Sequence, residues 1–228
     1  MITMAGTIGA GKTAWGAVIA EHFGTELLIE KVDGNPFLPK FYEFPERYSF
    51  HLQVYFLNHR FKALKEALKH PNTVLDRSIY EDAMVFAKLQ YDNGSMDEAE
   101  YGTYLDLHDN MMQELHDLYE QQIMFKKSPD LLVFVHGSFD EAMRRIRKRG
   151  RPYEQVERDP GLHVYYRDLY DTYENEFIKD YRKQEISPVY HLDIDKYEIS
   201  NSADVETVLH EIEDILGEER GFVFPEEN

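Results

Sequence analysis

The stretch Ile2-Thr3-Met4-Ala5-Gly6-Thr7-Ile8-Gly9-Ala10-Gly11-Lys12-Thr13-Ala14-Trp15 decides the fold of this 228-residue chain. Its middle, Gly6 to Thr13, matches G-x-x-x-x-G-K-[ST] in full. A phosphate-binding loop needs this spacing, because glycine-rich backbone curls so that successive N–H groups converge on phosphate oxygens and side chains would block the approach. Lys12 then reaches the β and γ phosphates, Thr13 offers a hydroxyl to Mg²⁺, and the helix that follows aims its positive end at the anion. An apolar strand before the motif, and Ala14, Ala17, Val18 and Ile19 continuing as a helix after it, supply the required context. Gly6, Thr7, Ile8, Gly9, Ala10, Gly11, Lys12 and Thr13 are therefore assigned to a nucleoside triphosphate.

Outward from this loop, short apolar runs alternate with long helical patterns, the rhythm of βαβ units. Strands are predicted at 1–5, 26–30, 73–76, 131–135 and 188–193, and helices at 12–22, 46–69, 79–91, 97–125, 138–149, 160–184 and 202–216. The expected fold is α/β, a three-layer P-loop architecture with a five-stranded parallel sheet surrounded by helices. Capping boxes are expected at Ser78/Glu81, Ser95/Glu98 and Ser138/Glu141. Segment 97–125 carries Tyr101, Tyr104, Leu105, Met111, Met112, Leu115 and Leu118 at mixed spacings, which suggests a homodimer contact shared with helix 46–69. A single domain spans 1–228, with an acidic, frayed tail at about 218–228.

Composition excludes several classes. The 25 Lys and Arg stand against 43 Asp and Glu, a formal charge of −18 that opposes nucleic-acid binding through many phosphate contacts. The absence of cysteine removes disulfides, thiolate nucleophiles and Cys-ligated metals. No membrane span or signal segment is evident, so a cytoplasmic location is expected. The pairs His51/His59 and His108/His116 lack a third ligand at zinc spacing.

Three clusters address where the phosphoryl group goes. Asp76-Arg77-Ser78 closes the third predicted strand, placing Asp76 to hold a water of Mg²⁺ and Arg77 within reach of the transferring group. Between Arg144 and Arg151, six of eight residues are basic; Phe139, Ala142, Met143 and Ile146 form the buried stripe, leaving Arg145, Arg149 and Arg151 for a lid over phosphates, about 145–156. Glu30 ends Leu27-Leu28-Ile29-Glu30, at the side of the sheet where such folds bind ligands, and is a candidate base for a hydroxyl acceptor.

Five ordered blocks resemble the deoxynucleoside kinase family: the P-loop; Glu30 with Gly34-Asn35-Pro36-Phe37; Phe41-Tyr42 through Arg47-Tyr48-Ser49-Phe50 and Gln53 to Arg60; Asp76 to Asp82; and Arg145 through Arg151 to Glu154-Gln155. The match covers about residues 1–195 and looks most like bacterial members acting on deoxyadenosine, deoxyguanosine or deoxycytidine. The resemblance implies ATP-dependent phosphorylation of a deoxynucleoside 5′-hydroxyl with Mg²⁺, in nucleotide salvage. It implies Glu30 as base, Arg77 beside it, Lys12 on the phosphates, and Thr13 with Asp76 at the metal. It also implies Gln53 and Asp82 on the base with Arg60 tuning which edge is read, Tyr42 and Glu154 on the sugar 3′-hydroxyl, and Arg145, Arg149 and Arg151 in the lid. The 42–60 segment offers Tyr42, Phe44, Tyr48, Phe50, Gln53 and Tyr55 as surroundings for the base. Some relatives place two acids in succession where Tyr153 precedes Glu154 here. Two other readings share the cradle: a nucleoside monophosphate kinase, which needs arginines to grip a substrate phosphate and is disfavoured because the only arginines in 33–72 are Arg47 and Arg60, and an ATP-dependent regulator. The partner subunit is expected to be a second copy, with a related chain as the alternative.

Overall fold

The computed structural model describes residues 1–30, 32, 34–70, 72–124, 128–157 and 159–218. Strands β1 (Ile2–Ala5), β2 (Leu27–Leu28), β3 (Val74–Asp76), β4 (Leu131–His136) and β5 (Val189–Asp193) form one sheet in the order β2-β3-β1-β4-β5. Every pairing is parallel, and Met4 stands opposite both Asp76 and Val133. The P-loop thus leaves the central strand level with the acid that ends β3.

The strands are apolar on both sides because both sides are covered. Ile2, Met4, Val74, Leu131, Val133 and Val135 pack against α1 (Lys12–His22) and, late in the chain, α10 (Ser202–Glu218), through Trp15, Ile19, Val208 and Ile212. The alternate residues Ala5, Leu75, Leu132 and Phe134 face the other layer. That layer draws on α3 (Pro45–Ala67), α4 (Ile79–Glu81), α5 (Lys88–Asp92), α6 (Glu98–Glu120), α8 (Gly161–Thr172) and α9 (Ile178–Lys183). Two short elements complete the rim of the sheet: α2 (Leu38–Glu43) and α7 (Phe139–Arg149), the latter ending in Gly150 and a 3₁₀ turn at Pro152–Glu154.

Several expectations are corrected. Only Leu27–Leu28 of 26–30 pairs with the sheet; Ile29 is 57% exposed and Glu30 lies beyond the strand, on chain that has turned away from β3. The expected helix 79–91 is three pieces, with a π-helical segment at Asp82–Ala87, and 160–184 is likewise divided by one at Tyr173–Phe177. Helix α2 was not foreseen. The box expected at Ser95/Glu98 forms two residues later, where Asp97 and Glu100 bond each other's backbone N–H at 2.8 and 3.2 Å. At Ser78/Glu81 the Glu81 half forms, Oε2 accepting from the Ser78 N–H at 3.0 Å. Ser138/Glu141 does not, because Arg144 and Arg145 hold the Glu141 carboxylate and the Ser138 hydroxyl turns to Asp195. Helix α6 ends at Glu120; residues 125–127, and the tail from 219 onward, lie outside the described residues. Among the described residues no helix is long and apolar enough to cross a membrane.

Leu132 is fully buried near the start of β4, between Thr3 and Val189. Leu132→Ala is expected to lower unfolding free energy by about 2–5 kcal/mol, read as a fall in urea midpoint at unchanged slope.

Candidate active site

The loop after β1 is shaped by close backbone approach. A Cβ at Gly6 (φ 142°) would stand 2.2 Å from the Val135 carbonyl oxygen, and one at Gly9 (φ 87°) 2.5 Å from that of Ala142, so side chains at either would push the loop off β4 and α7. Gly11 caps α1 without a side chain, leaving its first turn open for an anion. Lys12 folds back over the loop, Nζ donating to the carbonyls of Gly6 (2.8 Å) and Thr7 (2.9 Å). Burial lowers its pKa to about 7; Arg77 adds to the effect while Asp76, Glu81 and Glu30 oppose it. Thr13 Oγ1 donates to Asp76 Oδ2, and Ala10 offers its carbonyl to Arg145 Nη1 at 2.9 Å.

A cavity of 490 Å³ opens beside this loop, walled by Ile8, Gly9, Gly11, Lys12 and Thr13 on one side and by Glu30 and α2–α3 on the other. Glu30 is its centre of charge. Glu30 Oε1 accepts from Arg60 Nε (3.1 Å) and Nη2, and Oε2 accepts from Arg77 Nε at 3.1 Å. Burial pushes the Glu30 carboxyl up, and the Arg60 and Arg77 guanidiniums more than offset this, holding its pKa below the ordinary value. Arg60 continues through Nη1 to Asp82 Oδ1, so one guanidinium bridges the half-buried Glu30 and the fully buried Asp82. The wide π turn explains how: it stacks Asp82 and Phe86 on one face, with the Phe86 ring 5.3 Å from the Arg60 guanidinium carbon and 4.8 Å from that of Arg77.

Two acceptors remain without partners here, Gln53 Oε1, whose residue lines the cavity, and Asp82 Oδ2 behind Arg60. Buried polar atoms of this kind mark where a ligand's donors belong. At the far wall Tyr42 stacks on Tyr153 (5.6 Å, 24°) beside Glu154. Burial, with Tyr166, Tyr165 and Glu154 nearby, holds the Tyr42 phenol well above its usual pKa. Glu154 accepts from Arg149 Nη2 (2.6 Å) and Nε (3.1 Å) and from Arg151 Nη1 (3.3 Å), which ties the arginine loop down over the cavity.

The structure thus brings most sequence-predicted site residues to one cavity wall, with Gly6, Thr7 and Ala10 behind the loop and Asp82 behind Arg60. Ordinary packing, the alternative reading for several of the aromatics in 42–60, accounts for most of them. Of the six residues offered between 42 and 60, only Tyr42 and Gln53 reach the cavity; Phe44 is 54% exposed, and Tyr55 packs on His59 and Phe37. Helical phase decides this: Leu52, Gln53, Phe56 and Arg60 share the inward face of α3, while Phe41 from α2, Phe86 and Tyr165 supply the remaining rings. The spacing Leu52–Phe56–Arg60 was the available signal.

The family model described as deoxynucleoside kinase matches residues 2–217. The chain belongs to the deoxynucleoside kinase family. It is 46% identical to a deoxyguanosine kinase of Lactobacillus acidophilus over 96% of this chain and 91% of that one. It is 40% identical to a deoxyadenosine kinase of the same organism over 96% of this chain and 97% of the relative. A solved structure of deoxyadenosine kinase from M. mycoides, with products dCMP and a flexible dCDP bound, superposes with a TM-score of 0.75 at 29% identity, covering 93% of this chain and 98% of that one. The protein is accordingly an enzyme, a phosphotransferase of nucleotide salvage.

In this kinase the donor set near the loop suits a cation that keeps its water and leans on phosphate. Among the described residues no group of three or more His, Asp or Glu forms a ready cage. A Thr13 hydroxyl on an Asp76 carboxylate fits Mg²⁺, which dehydrates reluctantly and takes few protein ligands.

Because Lys12 titrates lower in the folded kinase than in the unfolded chain, the cost of burying its charge is full below pH 7 and fades as pH rises to the unfolded pKa. Lys12→Met is expected to raise the Tm of the ligand-free protein relative to the parent at pH 6. That advantage should shrink steadily toward pH 10, and the variant should lose stabilisation by ATP at every pH, both followed by thermal melts.

Proposed function

We propose that this kinase transfers the γ-phosphoryl group of ATP to the 5′-hydroxyl of a purine deoxynucleoside, deoxyguanosine foremost, as a cytoplasmic homodimer. The observation that carries the reading is Glu30, an ionised carboxylate fixed between Arg60 and Arg77 across the cavity from Lys12. A nucleoside fits because, among the described residues, the acceptor side holds an amide, a carboxylate-backed guanidinium and aromatic rings but no cluster of cations for a second phosphate. Guanine is favoured because it offers two acceptors, O6 and N7, to Arg60, which Asp82 backs from behind, and an N–H donor to Gln53 Oε1. The deoxyguanosine kinase among the relatives supports that order.

In the transfer, Gln53, Arg60 and Asp82 orient the base, while Tyr42 and Glu154 take the 3′-hydroxyl. Glu30 removes the 5′-proton, which requires Arg60 to ease its hold as the base engages it. The P-loop amides and Lys12 fix the donor, and Arg77, Arg145, Arg149 and Arg151 meet the charge that spreads over the moving phosphoryl group. Thr13 and Asp76 would hold Mg²⁺, which would supply neutralisation of phosphate charge. A relative that carries dCMP and dCDP as products supports a nucleoside triphosphate as donor. For the dimer, Tyr101, Leu105, Met111, Met112 and Leu118 lie half-buried along α6, a face with apolar area left for a second copy.

A transfer assay with ATP and Mg²⁺ against the four deoxynucleosides and, separately, their monophosphates tests the reaction. Transfer to deoxyguanosine at the highest kcat/KM is expected; acceptance of monophosphates alone would overturn the reading. Glu30→Gln should cut kcat by about 10²–10⁴ while deoxyguanosine still binds. Light scattering on a sizing column should return twice the chain mass, and Met112→Lys should shift it toward the monomer.

A further inference from the structure

The cavity accounts for one side of the Arg77 guanidinium. Its other side is gripped by two groups outside the phosphate motif, the lid and the nucleoside-facing set. Glu81, fully buried, accepts on Oε1 from Arg77 Nη1 (3.0 Å), from the Gly6 N–H (3.3 Å) and from the Tyr173 hydroxyl, and on Oε2 from the Ser78 N–H (3.0 Å). Tyr173, 1% exposed, accepts from the same Arg77 Nη1 at 2.9 Å while donating to Glu81. Arg77 Nη1 also donates to the Gly6 carbonyl at 3.2 Å. Arg77 itself sits at φ 72°, a left-handed conformation that a long side chain adopts only where its surroundings impose it.

We propose that Glu81 and Tyr173 are positioning residues for phosphoryl transfer: they clamp the Nη1 end of Arg77 to the first P-loop glycine, so that Nε faces Glu30 and the path of the phosphoryl group. This rests on the phosphotransfer reading above. The clamp ties the acceptor side, through Arg77, to the donor cradle, through Gly6, by one carboxylate, and thus fixes the distance the phosphoryl group must cross. Tyr173 opens the second π-helical segment, as Asp82 opens the first, and wide turns of this kind re-aim single side chains at functional sites. Burial and the adjoining Glu81 hold the Tyr173 phenol far above its usual pKa, so it stays a donor throughout the working range.

The Tyr173 hydroxyl permits a one-atom test. The ring alone packs on Phe86, Phe134 and Phe177, at 6.2, 6.2 and 5.4 Å, and phenylalanine fills that space equally. Tyr173→Phe is compared with Tyr181→Phe, which removes a hydroxyl bonded to Ser187 from the same core. Tyr173→Phe is expected to lower kcat about tenfold with KM for nucleoside and ATP within about twofold of the parent, while Tyr181→Phe leaves kcat unchanged. In an Arg77→Lys background, Tyr173→Phe should cost less than about twofold more, because the hydroxyl acts through that guanidinium. An unchanged kcat in Tyr173→Phe, an equal loss in Tyr181→Phe, or a full further loss on top of Arg77→Lys would each overturn the assignment. Absence of transfer to any deoxynucleoside by the parent protein would overturn the functional reading first, before any variant is compared.

Discussion

A carboxylate kept ionised away from bulk water is the condition on which this site is built. Glu30 is costly to bury as an anion, and two guanidiniums offset that cost. Each arrives from a different element: Arg60 from the middle of α3, Arg77 from the first residue past β3, itself anchored by its N–H on the Met4 carbonyl at 3.1 Å. The guanidiniums need partners of their own, which brings in Asp82, Glu81 and the faces of Phe56 and Phe86. Sheet order, helix phase and both wide turns thus converge on the demand that no buried charge stand alone.

The contrast between overall and local charge follows from the same arrangement. A chain of net charge −18 repels polyanions at a distance. At the carboxyl ends of its strands it gathers Lys12, Arg60, Arg77, Arg145, Arg149 and Arg151 around one cavity. All six are engaged by carboxylates or carbonyls within the protein, so the cations are stored at close range instead of projected as a field.

Much of the fold was legible because the P-loop has one structural context and the strands are apolar throughout. Thr13 with Asp76 followed from the P-loop and the end of β3, whereas Glu30 beside Arg77 came from the family resemblance, since β2 already stops at Leu28. What escaped were features that depend on tertiary packing. The length of β2 was set by where the chain turns away after Leu28, and the inward phase of α3 by what packs around it, so Phe56 was overlooked and Tyr55 overestimated. The π turns leave no mark on a 3.6-residue hydrophobic pattern. The Tyr173–Glu81 contact spans 92 residues and joins two positions that each look like ordinary core or cap.

On the proposed reading, the guanidinium of Arg60 that clamps Glu30 also meets the nucleoside base. A base that draws this guanidinium toward itself also loosens its grip on the proton acceptor, whereas a base that fails to engage it leaves that acceptor quiet. Selectivity built this way is expressed in turnover more than in occupancy: a wrong nucleoside can sit in the cavity without being processed. Any evolutionary change of base preference routed through this arginine must therefore renegotiate catalysis with it.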